Sequence, residues 1–216
     1  CIEGSEKILR HQFDLLGSGT FHPVDPDRVG DHLYVPIDWR LDSVRNLRFP
    51  GGFPQADWDF VRMRPGNADI KLPWELGRCQ HWPALAQAWL LSGDRRFAEE
   101  VFDQRADFDD ANPVGRGVQW ICTMDVAIRA ANWALAFDML RDYQATNDQW
   151  RGAYSSLFAH GRFIRGNLED KYEVTSNHFL SNIVGLIYVA RVLGALEEAA
   201  GWDIFCRAAL EREMTV

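Results

Sequence analysis

No run of 18 or more apolar residues occurs in the 216-residue chain, so nothing in it is long enough to form a membrane-crossing helix. Nor do the first residues, Cys1 to Lys7, show a basic stretch leading into an apolar core, so no export signal is visible. The start at Cys1 and the uncapped stretch Glu213 to Val216 lead us to expect that one or both ends are artificial. Positive charge is scarce: 23 Lys and Arg stand against 31 Asp and Glu, a net charge of −8. Nucleic acid and anionic membrane surfaces are bound by clustered cations that displace counterions, so neither is an expected partner. A polyanionic ligand would have to be held locally.

Cysteine is also sparse. Cys1, Cys79, Cys122 and Cys206 lie far apart and form no C-x-x-C pair or Cys/His cluster, so they read as reduced core residues and no metal is expected. The chain has no G-x-S-x-G, phosphate-binding loop, G-x-G-x-x-G, H-E-x-x-H or calcium-loop pattern, and no cofactor is expected. Self-similarity at a fixed period, the mark of tetratricopeptide or ankyrin arrays, is absent too.

What is present divides the chain near residue 73. Seven of the nine prolines (Pro23, Pro26, Pro36, Pro50, Pro54, Pro65, Pro73) fall between Gly17 and Pro73, with Gly30, Gly51, Gly52 and Gly66 among them. Such a segment cannot be regular helix. We expect residues 1–73 to be an N-terminal helix followed by an extended arm, anchored on the body by Tyr34, Ile37, Trp39, Phe49 and Trp58.

Residues 74–216 carry helical periods. Trp82, Leu85, Ala86, Trp89 and Leu90 share one face, Gly93 stops that helix and Asp94 caps the next. Further helices are expected from about Val118 to Asp142 and from about Asp148 to Asn167. The apolar run Ile183 to Leu196 predicts a helix buried between neighbours. Short connections make consecutive helices antiparallel, so the expected fold is all-α: an incomplete α/α toroid of antiparallel helical hairpins preceded by the Pro/Gly-rich arm.

Three polar segments interrupt these helices. Asp125 and Arg129 fall on an inward stripe at i, i+4, which suits a structural ion pair or leaves Arg129 to contact a carbohydrate carboxylate. Glu75, Arg78 and His81 are spaced by three between Trp74 and Trp82. That spacing fits a salt bridge at the helix start, and equally a sugar site in which indoles stack on pyranose rings and Arg forks a carboxylate. The segment Thr175-Ser176-Asn177-His178-Phe179-Leu180-Ser181-Asn182 precedes the apolar helix; a cap by Ser176 or Asn177 accounts for one of its polar residues, not for all.

Read together, these segments resemble the heparinase II/III N-terminal family. The matching stretches are His11 to Gly19, Ile37-Asp38-Trp39, Lys71 to His81, Asn112 to Trp120, Cys122 to Trp133, His160 to Ile164 and Asn177-His178-Phe179-Leu180-Ser181-Asn182. They run in the order the family has them. The resemblance implies a toroid followed by a β-sandwich domain that this chain does not include, and a periplasmic or secreted setting. It also implies β-elimination on acidic, uronic-acid-containing glycans, heparan sulfate-like or alginate-like, with no cofactor. By resemblance, Asn177 would neutralise the substrate carboxylate and His178 would transfer or orient a proton. Trp74, Glu75, Arg78, His81, Trp120 and Arg129 would bind substrate, with Trp120 as a cleft wall. The family's catalytic Tyr has no counterpart here, since Tyr188, the one tyrosine after Asn177, sits at the wrong distance, and the chain alone is expected to be inactive. A toroidal glycoside hydrolase, which would show two facing carboxylates, and a non-catalytic glycan-binding domain are the alternatives.

Overall fold

The computed structural model describes residues 2–30, 34–170 and 177–214. Among these the helices are α1 (Ile2–Ile8), α2 (Lys71–Gly77), α3 (His81–Ser92), α4 (Arg95–Ala111), α5 (Thr123–Met139), α6 (Asn147–Gly166), α7 (Asn177–Leu193) and α8 (Glu197–Glu213). No helix is long and apolar enough to cross a membrane.

Between α1 and α2, the described residues contain a two-stranded antiparallel ladder, β1 (Leu41–Asp42) with β2 (Leu47–Arg48), a 3-10 turn at Gln55–Asp57, and isolated antiparallel bridges at Phe13–Phe21, Val24–Ile37 and Pro54–Arg116. With little backbone pairing, this arm needs side chains to satisfy its polar groups, and buried aspartates do so. Asp42, wholly buried, accepts from the backbone N–H groups of Val44, Arg45 and Asp69. Asp38 accepts from Arg48 Nε at 2.7 Å. Asp107 of α4 accepts from Ile37 N at 3.1 Å, Trp39 Nε1 at 2.7 Å and Arg28 Nη1 at 2.7 Å, which ties the arm to a helix. Ile37 and Trp39 are buried in the same core as the helices, and Phe49 joins a smaller cluster with Ala68 and Val118.

The helices alternate between two layers. In one, α3, α5 and α7 touch in series; in the other, α4, α6 and α8 do, and the hairpins α3–α4, α5–α6 and α7–α8 join the layers. This is the arc of an α/α toroid. Local chemistry turns each hairpin back. Gly93 caps α3 at φ 70°, a left-handed conformation suited to glycine, and the Asp94 side chain accepts from Arg96 N to start α4. Thr146 and Gln149 form a reciprocal capping box at the start of α6.

Aromatic rings fill the space between layers: Trp82 stacks on Trp133 at 4.6 Å, with Phe108 and Phe137 edge-on to Trp133. The α5–α7 contact is closer than most, because a Cβ on Gly185 would lie 2.5 Å from the Ala127 carbonyl oxygen. Cys79, Cys122 and Cys206 are free and buried.

Three expectations need correction. α5 begins at Thr123, not near Val118, because Gly117 at φ 75° leads into a separate 3-10 turn, Val118–Trp120. The shared α3 face is not buried along its whole width, since Leu90 is 55% exposed while Trp82, Leu85 and Ala86 are fully buried. The apolar stretch of α7 is buried on one side only: Leu180, Val184 and Tyr188 form an exposed i, i+4, i+8 stripe facing a groove with Ile128 and Leu135 of α5.

Candidate active site

Asn177 and His178 open α7, where the unpaired N–H groups of a helix's first turn point outward. The Asn177 side chain is exposed, and the one contact its amide makes among the described residues is with Met124 Sδ at 4.0 Å. Its N–H groups are therefore available to a ligand. The expected capping residue Ser176, with Thr175, lies outside the described residues. His178 Nδ1 lies 3.0 Å from Glu169 Oε1, in the loop after α6. Glu169 is in turn fixed by Asn182, a fully buried residue one turn along α7: Asn182 Nδ2 donates to Glu169 Oε2 at 3.2 Å, and Glu169 N donates to Asn182 Oδ1 at 2.9 Å. The imidazole is held at Nδ1, and Nε2 has no hydrogen-bond partner among the described residues.

Beside this pair, α5 presents Cys122 at its N-cap and Asp125 in its first turn. Burial, and after it the Asp125 carboxylate, push the Cys122 thiol up to about 12. Asp125 is 1% exposed and pairs across to α2: Arg78 Nε reaches Asp125 Oδ1 at 2.6 Å, and Arg78 Nη1 reaches Glu75 Oε2 at 2.6 Å. Glu75, Arg78, Asp125, Cys122, Glu169 and His178 thus form one chain of contacts, with Met124 linking Asn177 to it. A cavity of about 450 Å³ adjoins it, lined by polar and charged groups that include Gln55, Thr123, Arg165, Asn167 and Glu169.

Other residues expected at this site lie elsewhere. Cys79, with φ 52°, breaks the backbone between α2 and α3, so His81 does not continue the Glu75–Arg78 face. It turns toward the arm, with its ring edge-on to Phe13 and Nε2 bonded to Gln104 Oε1 at 2.6 Å. Arg129 does not pair with Asp125. Its guanidinium, 0% exposed, donates to His160 Nε2 at 2.9 Å, Gln119 O at 3.0 Å and Gly77 O at 3.3 Å, and lies over the rings of Phe108 and Trp120. Burial lowers its pKa to about 10, which still leaves it charged at neutral pH. Trp120 is 1% exposed and donates Nε1–H to Asn112 O; it lies in the core against His160 and Phe163, not on a cleft wall. Trp74 donates Nε1–H to Val118 O and packs against the Phe49 cluster of the arm.

Two of these interior imidazoles set an acid limit on stability. Burial, and then the neighbouring Arg129 charge, hold His160 well below the usual histidine range. Burial likewise pulls His81 down to about 4, against the hydrogen bond it donates to Gln104 Oε1 and helped by nearby His11. Both are neutral in the fold, whereas the unfolded chain binds a proton at each below pH about 6.5. Their contribution is full above pH 6.5 and is lost as pH falls, at up to about 1.4 kcal/mol per pH unit for each imidazole. Urea unfolding measured from pH 7 to pH 4 should show that decline, and His81→Gln should make it shallower. A stability that stays flat from pH 7 to pH 5 would contradict the assignment.

The family described as Heparinase II/III N-terminus matches residues 31–216. The chain belongs to this family. Among solved structures, heparan sulfate lyase HepC from Pedobacter heparinus superposes with a TM-score of 0.73 at 20% identity, covering 99% of this chain and 29% of that one. A heparinase III with methylated lysines gives a TM-score of 0.67 at 18% identity, covering 98% of this chain and 31% of its own. The heparinase II/III chain described here thus spans about a third or less of these neighbours, and at such identities the likeness concerns the fold. No curated protein sequence gives a match.

Within the heparinase II/III domain, sequence reasoning missed Glu169 and Arg165 as parts of the site, and it included Asn182 in a candidate segment without giving it a role. Glu169 lies in a loop, where no period marks it. Asn182 was visible as a polar residue in an apolar helix, four positions after His178, and that spacing was the available signal.

Proposed function

We propose that the protein containing this heparinase II/III domain is a polysaccharide lyase that cleaves acidic, uronic-acid-containing glycans by β-elimination. The observation that carries this reading is the exposed Asn177 amide, with no oxygen or nitrogen partner among the described residues, beside a His178 imidazole held by Glu169. The C5 proton of a uronate is weakly acidic because the adjacent carboxylate is negative. A donor that neutralises the carboxylate lowers that barrier, and an amide aimed at it acts most strongly as charge moves onto the group in the transition state. Asn177 supplies that donor. A base removes the C5 proton, the C4–O bond breaks with its electrons leaving on O4, and a C4=C5 double bond remains.

His178 Nε2 is placed to orient or transfer a proton in this step. Arg78, held by Glu75 and Asp125, would present its remaining N–H groups to a substrate anion, and Arg165 would add positive charge in the cavity. Tyr188 is not the base: eleven residues along α7 from Asn177 place it about 16 Å away along the helix axis. No other tyrosine of the described residues makes contact with this cluster, and Tyr172 lies outside them.

The test is absorbance of the unsaturated uronate product when the full-length protein is given heparan sulfate, hyaluronan, chondroitin or alginate. Product from at least one of these is expected, and no product from any uronic-acid glycan would end the lyase reading.

A further inference from the structure

Cys122, Glu169 and His178 come from three places in the chain: the N-cap of α5, the loop after α6 and the first turn of α7. One donor atom from each, a sulfur, a carboxylate oxygen and an imidazole nitrogen, lies within 4.8 Å of the other two. We propose that these three side chains form a binding site for a divalent transition metal of the zinc class. This does not rest on the lyase reading.

The geometry is close to what such an ion requires. Tetrahedral zinc bonds of about 2.3 Å to sulfur and about 2.0–2.2 Å to nitrogen and oxygen put neighbouring donors roughly 3.3–3.6 Å apart. His178 Nδ1 and Glu169 Oε1 are already 3.0 Å apart, and bringing in Cys122 Sγ takes a shift of no more than about 1.5 Å. The mixed donor set favours a borderline-soft ion over magnesium or calcium, which are held by oxygen alone.

The surroundings support the ligands. Asn182 grips both the backbone N–H and Oε2 of Glu169, which aims the other carboxylate oxygen at His178; metal ligands are commonly oriented by such outer contacts. Behind Cys122, Asp125 spends Oδ1 on Arg78, while its Oδ2 is buried without an oxygen or nitrogen partner among the described residues. The charges agree as well, since the carboxylates of Glu75, Asp125 and Glu169 gather here and Arg78 pairs with the first two, which leaves room for a divalent cation beside Glu169.

The experiment needs no substrate. The full chain, stripped with a chelator, is titrated with Co²⁺ and then with Zn²⁺, and circular dichroism confirms that each variant is helical. One Co²⁺ per chain is expected, with visible bands of tetrahedral intensity and a near-ultraviolet thiolate-to-cobalt band that Zn²⁺ removes. Cys122→Ser should abolish the thiolate band. His178→Ala, at a partly exposed position, should weaken Zn²⁺ binding by about 10-fold or more, and Glu169→Gln should do the same if Cys122→Ser fails to fold. A helical chain that gives no thiolate band, a band that survives in Cys122→Ser, or unchanged Zn²⁺ affinity in both His178→Ala and Glu169→Gln overturns the proposal. A lyase without metal affinity at this site, or a metal-binding chain from a protein without lyase activity, separates this result from the functional one.

Discussion

Arg129→Ala should cost the domain about 3–5 kcal/mol, the range for removing one partner of a buried charged network. The guanidinium has no solvent contact, and the groups it serves have no replacement: the carbonyls of Gly77 and Gln119 and the His160 Nε2 lone pair would all lose their donor. Each unsatisfied buried acceptor costs about 1–3 kcal/mol. A cavity between the rings of Phe108 and Trp120 adds to this, although some of the loss is offset because a buried charge with no directly bonded carboxylate disappears. Arg129→Lys should fall between, since one ammonium keeps the charge but cannot span three acceptors. Urea unfolding followed by tryptophan fluorescence would measure both, because Trp120 and Trp133 flank His160. A loss below about 1 kcal/mol for Arg129→Ala would mean that the network contributes little net stability.

In the full-length protein, Asn177→Ala should lower kcat by about 10² or more, while KM changes far less. The reason is where the amide acts: it meets a carboxylate that is already present in the bound substrate, but its hydrogen bond strengthens as electron density moves onto that group. Asn177 is exposed and its side chain supports nothing else in the described structure, so the stability of the variant should stay close to that of the wild type. Rates of unsaturated product release against substrate concentration separate the two parameters. An unaffected kcat would remove Asn177 from the reaction, and a change confined to KM would make it a binding residue alone.

Much of the helical body was legible because its signals are local. Gly93 and Asp94 mark the α3–α4 corner with residue types whose conformational and capping preferences need no tertiary information. Partner choice was not legible in the same way. Asp125 and Arg129 have ideal helical spacing for a pair, yet Asp125 turns to Arg78, 47 residues away, while Arg129 turns inward to carbonyls that the sequence could not place beside it. His81 was misread for a related reason, since periodicity carries it onto the face of Arg78 only if the helix is continuous, and the left-handed Cys79 interrupts it. Burial of α7 was overestimated because an apolar stripe reads alike whether or not a neighbour covers it.

The carboxylate of Asp107 bears on how the arm comes loose. Its three donors, Ile37 N, Trp39 Nε1 and Arg28 Nη1, belong to separate parts of the arm and converge on one acceptor group. None can leave without stranding charge or a buried N–H, so the contacts of Arg28, Ile37 and Trp39 with α4 are expected to open together instead of one at a time. In native-state hydrogen exchange, the Ile37 amide and the Trp39 indole N–H should share one opening free energy and respond together to denaturant. An arm with almost no secondary structure would then exchange in the manner of a helix, its cooperativity supplied by one side chain of α4.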